Sequence, residues 1–386
     1  MKILPSKLTK KRRMEIVVSV LLFVLMASWA LALEYTEPGR EATAARKRSF
    51  AVAEVTDILA DNAETQEWTE GRRIGQQTLE VEILTGPWKG ETLETENYLT
   101  IYTNVDAKVG TKIIIRLDVD DAGDPYILSV PNYNRAPVLI GLLVVFAALL
   151  ILIGRKKGLT ALLGLVYTLC CVWFIQVPMI LRGFSPIPVT VVIIALTAAA
   201  SLIFLNGFSR KTLCATLGCV GGVAAAGIFA AISGTISPLN GFNLPEAEEL
   251  VLRAADSGIR ISGLFVSGIL IASLGAVMDV AMSISSACWE LRERNPSLSR
   301  RELFRSGMNI GQDAMGTMAN TLILAFAGSS LNTLILFQIF DYPLIQIFNA
   351  DSIAIELIRG VAGTIGIILT VPLVALLSAE LMKPHK

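Results

Sequence analysis

Two carboxylates, Asp279 and Asp313, stand inside otherwise apolar stretches of this 386-residue chain. A charged side chain at the centre of a bilayer costs about 2.5–3.5 kcal/mol on insertion scales, so an acid kept there has a partner or a task. On a helix, Gly268, Ala272, Gly275, Asp279, Ser283 and Ser286 recur every three or four residues and form one small, polar face. The next apolar run repeats the pattern with Asn309, Asp313, Gly316 and Asn320, and Gln312 and Thr317 lie beside them. If the two faces meet, two acids with amides and hydroxyls line one cavity open to the cytosol, a setting for a cation, a proton or a small polar solute. If they do not, the small residues are a packing surface and each acid bonds to a neighbouring helix. Spacing alone leaves both readings open.

Other chemistries find less support. The only histidine, His385, is the penultimate residue, which excludes histidine-based catalysis. No Walker motif is present, so transport would draw on a gradient or on a separate ATPase. The acids lack the glycine-framed signature of aspartyl membrane proteases, and no enzymatic activity, metal or cofactor is expected. Cys170, Cys171, Cys214, Cys219 and Cys288 fall in or beside apolar runs, which argues against a disulfide framework. Glu356 and Arg359 are spaced as an i, i+3 structural ion pair. Gly360, Gly363 and Gly366 form a packing seam, Pro372 marks a kink, and Gly218-x-x-x-Gly222 is a helix-contact spacing.

The elements that position these residues follow from composition. With 53% apolar and 17% charged residues, the chain reads as a polytopic membrane protein. A spanning helix needs about 20 apolar residues. Eight runs qualify: Met14 to Leu33, Pro137 to Ile153, Leu159 to Leu181, Val189 to Phe208, Leu213 to Ile236, Gly263 to Ser285, Gly311 to Phe340 and Ile353 to Leu377. The first also has signal-peptide features, since Ala30-Leu31-Ala32 resembles a cleavage site. The seventh is too long for one straight span and is interrupted at Gly328-Ser329-Ser330, giving a broken or tilted helix. Pro245 to Ser262 reads as a short amphipathic surface helix.

Between the first two runs, residues 46–132 change character, with strand patterns at Phe50 to Ile58, Thr78 to Leu84, Lys112 to Val119 and Tyr126 to Val130. The expectation is a small extracytoplasmic β-barrel of the OB or SH3-like kind. Trp88, Tyr98 and Tyr102 either pack its core or form a carbohydrate- or peptide-binding face. The predicted organisation is thus a basic N-terminus and first helix or signal anchor (1–34), the β-domain (46–132) and a multi-helix membrane domain (135–384).

Three stretches then carry a resemblance: VEILTGPWKGETLETENYL at 81–99, GAVMDVAMSISS at 275–286 and LFRSGMNIGQDAMGTMANTLILAFAGSS at 303–330. Together they resemble the YibE/F family of bacterial multi-pass membrane proteins, over most of the chain beyond Phe50. The resemblance implies a bacterial cell-membrane protein with at most a loose link to transport, and carries over no catalytic residue. It places the faces around Asp279, Asp313 and Asn320 in the family's motif, which favours function over packing. The expected activity is secondary transport or permeation of a small polar solute or cation. The alternative is a non-transporting scaffold or sensor that displays the β-domain and connects it to the basic loop from Arg292 to Arg305. The expected partners are the lipid bilayer and that solute, with an oligomeric or second membrane partner left open. Lys plus Arg equals Asp plus Glu at 33 each, and no nucleic-acid partner is expected.

Orientation follows from the positive-inside rule. Lys7 to Arg13, Arg155 to Lys157, Arg210 with Lys211, Arg292 to Arg305, and Lys383 with Lys386 fall in every second connection between the eight runs, all on one side, which puts both termini in the cytoplasm and residues 46–132 outside. A cysteine placed in the β-domain should therefore react with an impermeant maleimide in intact cells; labelling only after permeabilisation would reverse the topology.

Overall fold

The computed structural model describes residues 10–35, 48–120, 123–244, 247–254 and 259–382. Lys7, Pro245, Glu246, Lys383, His385 and Lys386, each part of an expectation above, lie outside them. The chain divides into two compact units, residues 38–149 and residues 1–37 with 150–386.

The described residues of the first unit form six strands: β1 (Arg48–Asp61), β2 (Glu64–Thr65), β3 (Arg73–Ile83), β4 (Thr92–Leu99), β5 (Lys112–Val119) and β6 (Pro125–Tyr133). All ladders are antiparallel, in the order β2-β3-β1-β5-β6, with β4 also on β3. The first half of β1 pairs with β5 and the second half with β3, and register shifts after Val55 and Ile58 bend it between the two. The result is a curled sheet around Ala53, Val55, Leu79, Val81, Ile83, Ile113, Ile115 and Leu117. Among the described residues no ladder joins β4 to β6, so the expected barrel is a curled antiparallel sheet here. Strands β2 and β4 are additions to the four that the sequence predicts. The expected aromatic face also divides: Trp88 packs on the core, while Tyr98 and Tyr102 stay exposed.

A polar knot sits inside this unit. Fully buried Gln77 donates to Asp61 Oδ2 (3.0 Å) and to the Ala107 carbonyl (3.2 Å), and its Oε1 accepts from Ala107 N and Asn97 Nδ2 (both 3.1 Å). Arg73 reaches Asp61, Asp106 and the Ala63 carbonyl. Its guanidinium holds the Asp61 carboxyl down at about 2. The contribution of that pair is present at neutral pH and is lost only as pH falls from the ordinary carboxylate range towards the lowered value.

The second unit is helical. Its elements, with the start of the long helix that leaves the first unit, are α1 (Lys10–Tyr35), α2 (Ala136–Cys171), a π turn at Val172–Gln176, α3 (Val177–Leu181), α4 (Pro186–Asn206), α5 (Arg210–Ile236), α6 (Ala247–Ala254), α7 (Leu264–Arg294), α8 (Arg300–Ser329), α9 (Leu331–Ile339), α10 (Leu344–Asn349) and α11 (Asp351–Leu381). Among the described residues five helical runs are long and apolar enough to cross a membrane, or six if α8 and α9 count as one bent span. The sequence counts eight. The second and third expected spans fall in the single run Ala136–Leu181, whose backbone leaves helical geometry at Arg155 (φ 49°, ψ −125°). A Cβ on Gly158 would lie 1.9 Å from the Leu150 carbonyl oxygen. Eight residues along a straight helix are about 12 Å apart, so the chain turns sharply between them. The predicted interruption at 328–330 is real: α8 and α9 meet at Ser330 with a 55° bend. Helix α6 covers eight residues of the expected amphipathic segment, and α11 continues through Pro372.

Small residues set the packing. A Cβ on Gly222 of α5 would lie 1.7 Å from Thr370 Oγ1 and 2.9 Å from the Gly366 carbonyl oxygen of α11. Gly218 faces Val374, and along α11 Gly363 faces Leu322 and Gly360 faces Phe326. Helix α1 joins the bundle through Phe23, which lies 5.2 Å edge-on from Tyr167 and 5.8 Å stacked on Phe204. Arg182 donates to the Leu33 carbonyl at its end.

Gly222→Ala should lower the melting temperature in detergent, by overpacking worth about 1–3 kcal/mol. Gly275→Ala, with nothing within 4 Å of its Cβ, should leave it unchanged. Gln77→Leu strands the Ala107 and Asn97 groups and should cost the β-unit about 2–3 kcal/mol by denaturant titration. Equal stability of either pair of proteins would refute the packing or the network described.

Candidate functional site

Helices α7 and α8 run antiparallel. A Cβ on Gly311 would lie 2.9 Å from Ile284 Cδ1 and 2.3 Å from Val371 Cγ1, and one on Gly307 would lie 3.0 Å from both Cys288 Sγ and Ala375 Cβ. These contacts set the register: residue 284 lies level with 311 and 288 with 307, so Asp279 is level with Gly316. Asp313 is three residues from that level, about 4.5 Å at 1.5 Å per residue. The two carboxylates therefore sit at nearly the same depth.

They do not face each other across the α7–α8 seam. At about 100° per residue, Ile284 is about 140° around α7 from Asp279, and Gly311 is about 160° around α8 from Asp313. Asp279, Ser283, Gly268, Ala272 and Gly275 are exposed on α7. Asn309, Gln312, Asp313, Gly316, Thr317 and Asn320 are exposed on α8. A Cβ on Gly268, Gly275 or Gly316 would meet nothing within 4 Å. Among the described residues neither carboxylate has a hydrogen bond or an ion pair. The opposite sides of the same helices, including Val277, Ile284 and Cys288 on α7 and Met315, Met318 and Leu322 on α8, belong to the apolar core. The structure thus gathers each predicted set on one helix face and brings the sets to a common depth. Both faces are left uncovered by this chain.

Glu356 and Arg359 pair within α11. Arg359 donates to Glu356 Oε1 at 2.7 Å, with side chains 24% and 21% exposed, and its guanidinium lies over the Phe326 ring at 5.8 Å. This is the expected structural pair.

One polar position escaped the sequence reading. Gln176, buried in the π turn, donates from Nε2 to Thr190 Oγ1 (2.8 Å), and Thr190 donates to the Pro186 carbonyl (2.8 Å). Gln176 Oε1 is buried without a partner. The available signal was a lone amide in an apolar run, two residues before Pro178. Among the described residues no three His, Cys, Asp or Glu side chains gather as a metal site.

A family model described as YibE/F-like protein matches residues 142–384, more than half of the chain. The match takes in the stretches 275–286 and 303–330 and begins beyond the last strand, β6. No curated protein and no solved structure matches the chain.

Proposed function

We propose, from the premise that this chain belongs to the YibE/F family, that it is a secondary transporter or permease with a polar contact surface on each of the uncovered faces of α7 and α8, which point away from each other. Its solute is a small polar molecule or a cation, including the proton. The observation that carries this reading is the length of the polar face on α8. Within the span that begins at Gly311 it runs from Gln312 to Asn320, 8 residues or about 12 Å of a hydrocarbon layer about 30 Å thick. Asp279 lies level with it on the adjacent helix. Lipid cannot solvate such a face, because each acid costs about 2.5–3.5 kcal/mol at the bilayer centre and each unpaired amide adds to that. Water or another protein must front it, and the acid on each face suits contact with a cation or a proton. A scaffold or sensor has no need of such a face.

Eight crossings support this arrangement. The run Ala136–Leu181 has 46 residues, about 69 Å as straight helix and more than two bilayer cores, and it turns at Arg155. With α1 and the bent α8–α9 pair, the count reaches the eight runs of the sequence. Both termini then lie in the cytoplasm of a bacterial cell, with the β-unit outside.

The test is flux in proteoliposomes carrying an internal pH-sensitive dye under imposed Na⁺ or K⁺ gradients. Asp279→Asn and Asp313→Asn should each slow flux about tenfold or more, equivalent to about 1.4 kcal/mol on the barrier. Glu356→Gln should retain it. Wild-type flux in folded Asp279→Asn protein would remove the coupling role, and wild-type protein without flux would favour the scaffold reading.

A further inference from the structure

The β-unit carries an exposed aromatic tip that the transport reading does not use. Trp68 is 65% exposed, Ile101 55% and Tyr102 97%. Ile101 and Tyr102 are the two corner residues of a tight turn, in which Thr100 N donates to the Thr103 carbonyl (2.7 Å) and Thr103 N to Thr100 Oγ1 (2.9 Å). Arg72 donates to the Ile101 carbonyl (3.3 Å), which ties the Trp68 turn to the Tyr102 turn. Large apolar side chains this exposed need a surface to cover them.

The fold says where this tip sits within its own unit. Asn104 Nδ2 donates to the Arg73 carbonyl (2.7 Å), Arg73 pairs with Asp106 (2.9 Å), and Tyr133 Oη donates to the Asp106 carbonyl (3.1 Å). Tyr133 ends β6, Arg135 stacks its guanidinium over the Tyr133 ring at 5.7 Å, and α2 begins at Ala136. The first turns of α2 are uncovered apolar side chains, among them Val138, Ile140, Leu143 and Val144. A chain of direct contacts therefore links the aromatic tip to the point where the chain enters the uncovered apolar first part of α2.

We propose that Trp68, Ile101 and Tyr102 insert into the lipid headgroup region beside α2 and hold the β-unit against the bilayer surface. Trp and Tyr favour this zone because an apolar ring and a polar edge are both satisfied there, and Ile101 adds a purely apolar anchor. Thr100, Thr103 and Asn104 keep the Tyr102 turn uncharged, while Glu67 and Glu70 beside Trp68 remain in headgroup water. Continuity with the membrane entry of α2 selects lipid over a soluble peptide or glycan. The inference rests on the placement of α2 in lipid and is independent of whether the helices carry a solute.

The test uses the full chain in proteoliposomes. Single cysteines at Tyr102, Lys89 and Val144, in a Cys170→Ala background, carry an environment-sensitive fluorophore; the remaining native cysteines are buried. Lys89 is exposed on the β3–β4 hairpin, at the far end of those strands from Arg73 and Leu99, and Val144 reads the lipid placement of α2. In liposomes of brominated phosphatidylcholine, the Tyr102 and Val144 probes should lose emission relative to unbrominated lipid, and the Lys89 probe should not. A Tyr102 probe that matches Lys89 while Val144 is quenched overturns the proposal and leaves the tip to a soluble partner. Tyr102 projects into solvent, so its replacement does not threaten folding.

Discussion

The helical unit depends on the approach of α5 to α11, where Gly222 and Gly366 leave no room for a Cβ between the backbones. Inside a bilayer, apolar surface gains little by leaving lipid for protein, so association falls to van der Waals contact and hydrogen bonds, both of which need close approach. Thr370 closes the contact by donating to the Gly366 carbonyl at 2.7 Å, and its own oxygen fills the space a side chain on Gly222 would need. From this point the α11 glycines distribute the neighbours. Gly366 meets α5, Gly363 meets Leu322 of α8 and lies near Ser273 of α7, and Gly360 meets Phe326 of α8. One helix with small residues at three-residue intervals thus receives three partners.

That arrangement fixes the orientation of the polar faces. Helix α8 directs Met315, Met318 and Leu322 to the shared core, and α7 directs Val277, Ile284 and Cys288 there. On a helix with a narrow apolar stripe, whatever lies opposite must point outward. Asp279 and Asp313 are outward because their helices use the other side to reach the α11 hub. The same logic explains why the α7–α8 seam is made by Gly307 and Gly311 rather than by the acids.

The legibility of this structure in its sequence follows the same division. Glycine spacing was informative on α5 and α11, where Gly218, Gly222, Gly360, Gly363 and Gly366 all serve close packing, and uninformative on α7 and α8, where Gly268, Gly275 and Gly316 meet nothing. The break at 328–330 was visible because no straight helix of that length fits a bilayer. Helical periodicity identified the Asp279 and Asp313 faces as faces, yet it carries no information on what a face meets, so the shared seam was beyond its reach. Strand β4 was hidden for a different reason: its inward positions are Leu93, Thr95, Asn97 and Leu99, so two of the four residues that should signal burial are polar. Asn97 is there to bond Gln77, a long-range partner that no local window contains.

The two units treat buried polarity in opposite ways, and the contrast bears on function. In the β-unit, Gln77 is enclosed and every hydrogen-bonding position of its amide is used, which makes it part of the core. In the helical unit, Asn309, Gln312, Asp313, Thr317 and Asn320 lie along one uncovered face. An internally satisfied network needs nothing from outside the chain. A polar face held at membrane depth needs something on its other side, because hydrocarbon offers neither donors nor acceptors. Stability gives no reason to place acids there, since apolar residues on an outward face would cost nothing in lipid. The persistence of that polar stripe is therefore explained by what it contacts outside the chain rather than by the packing of the helices.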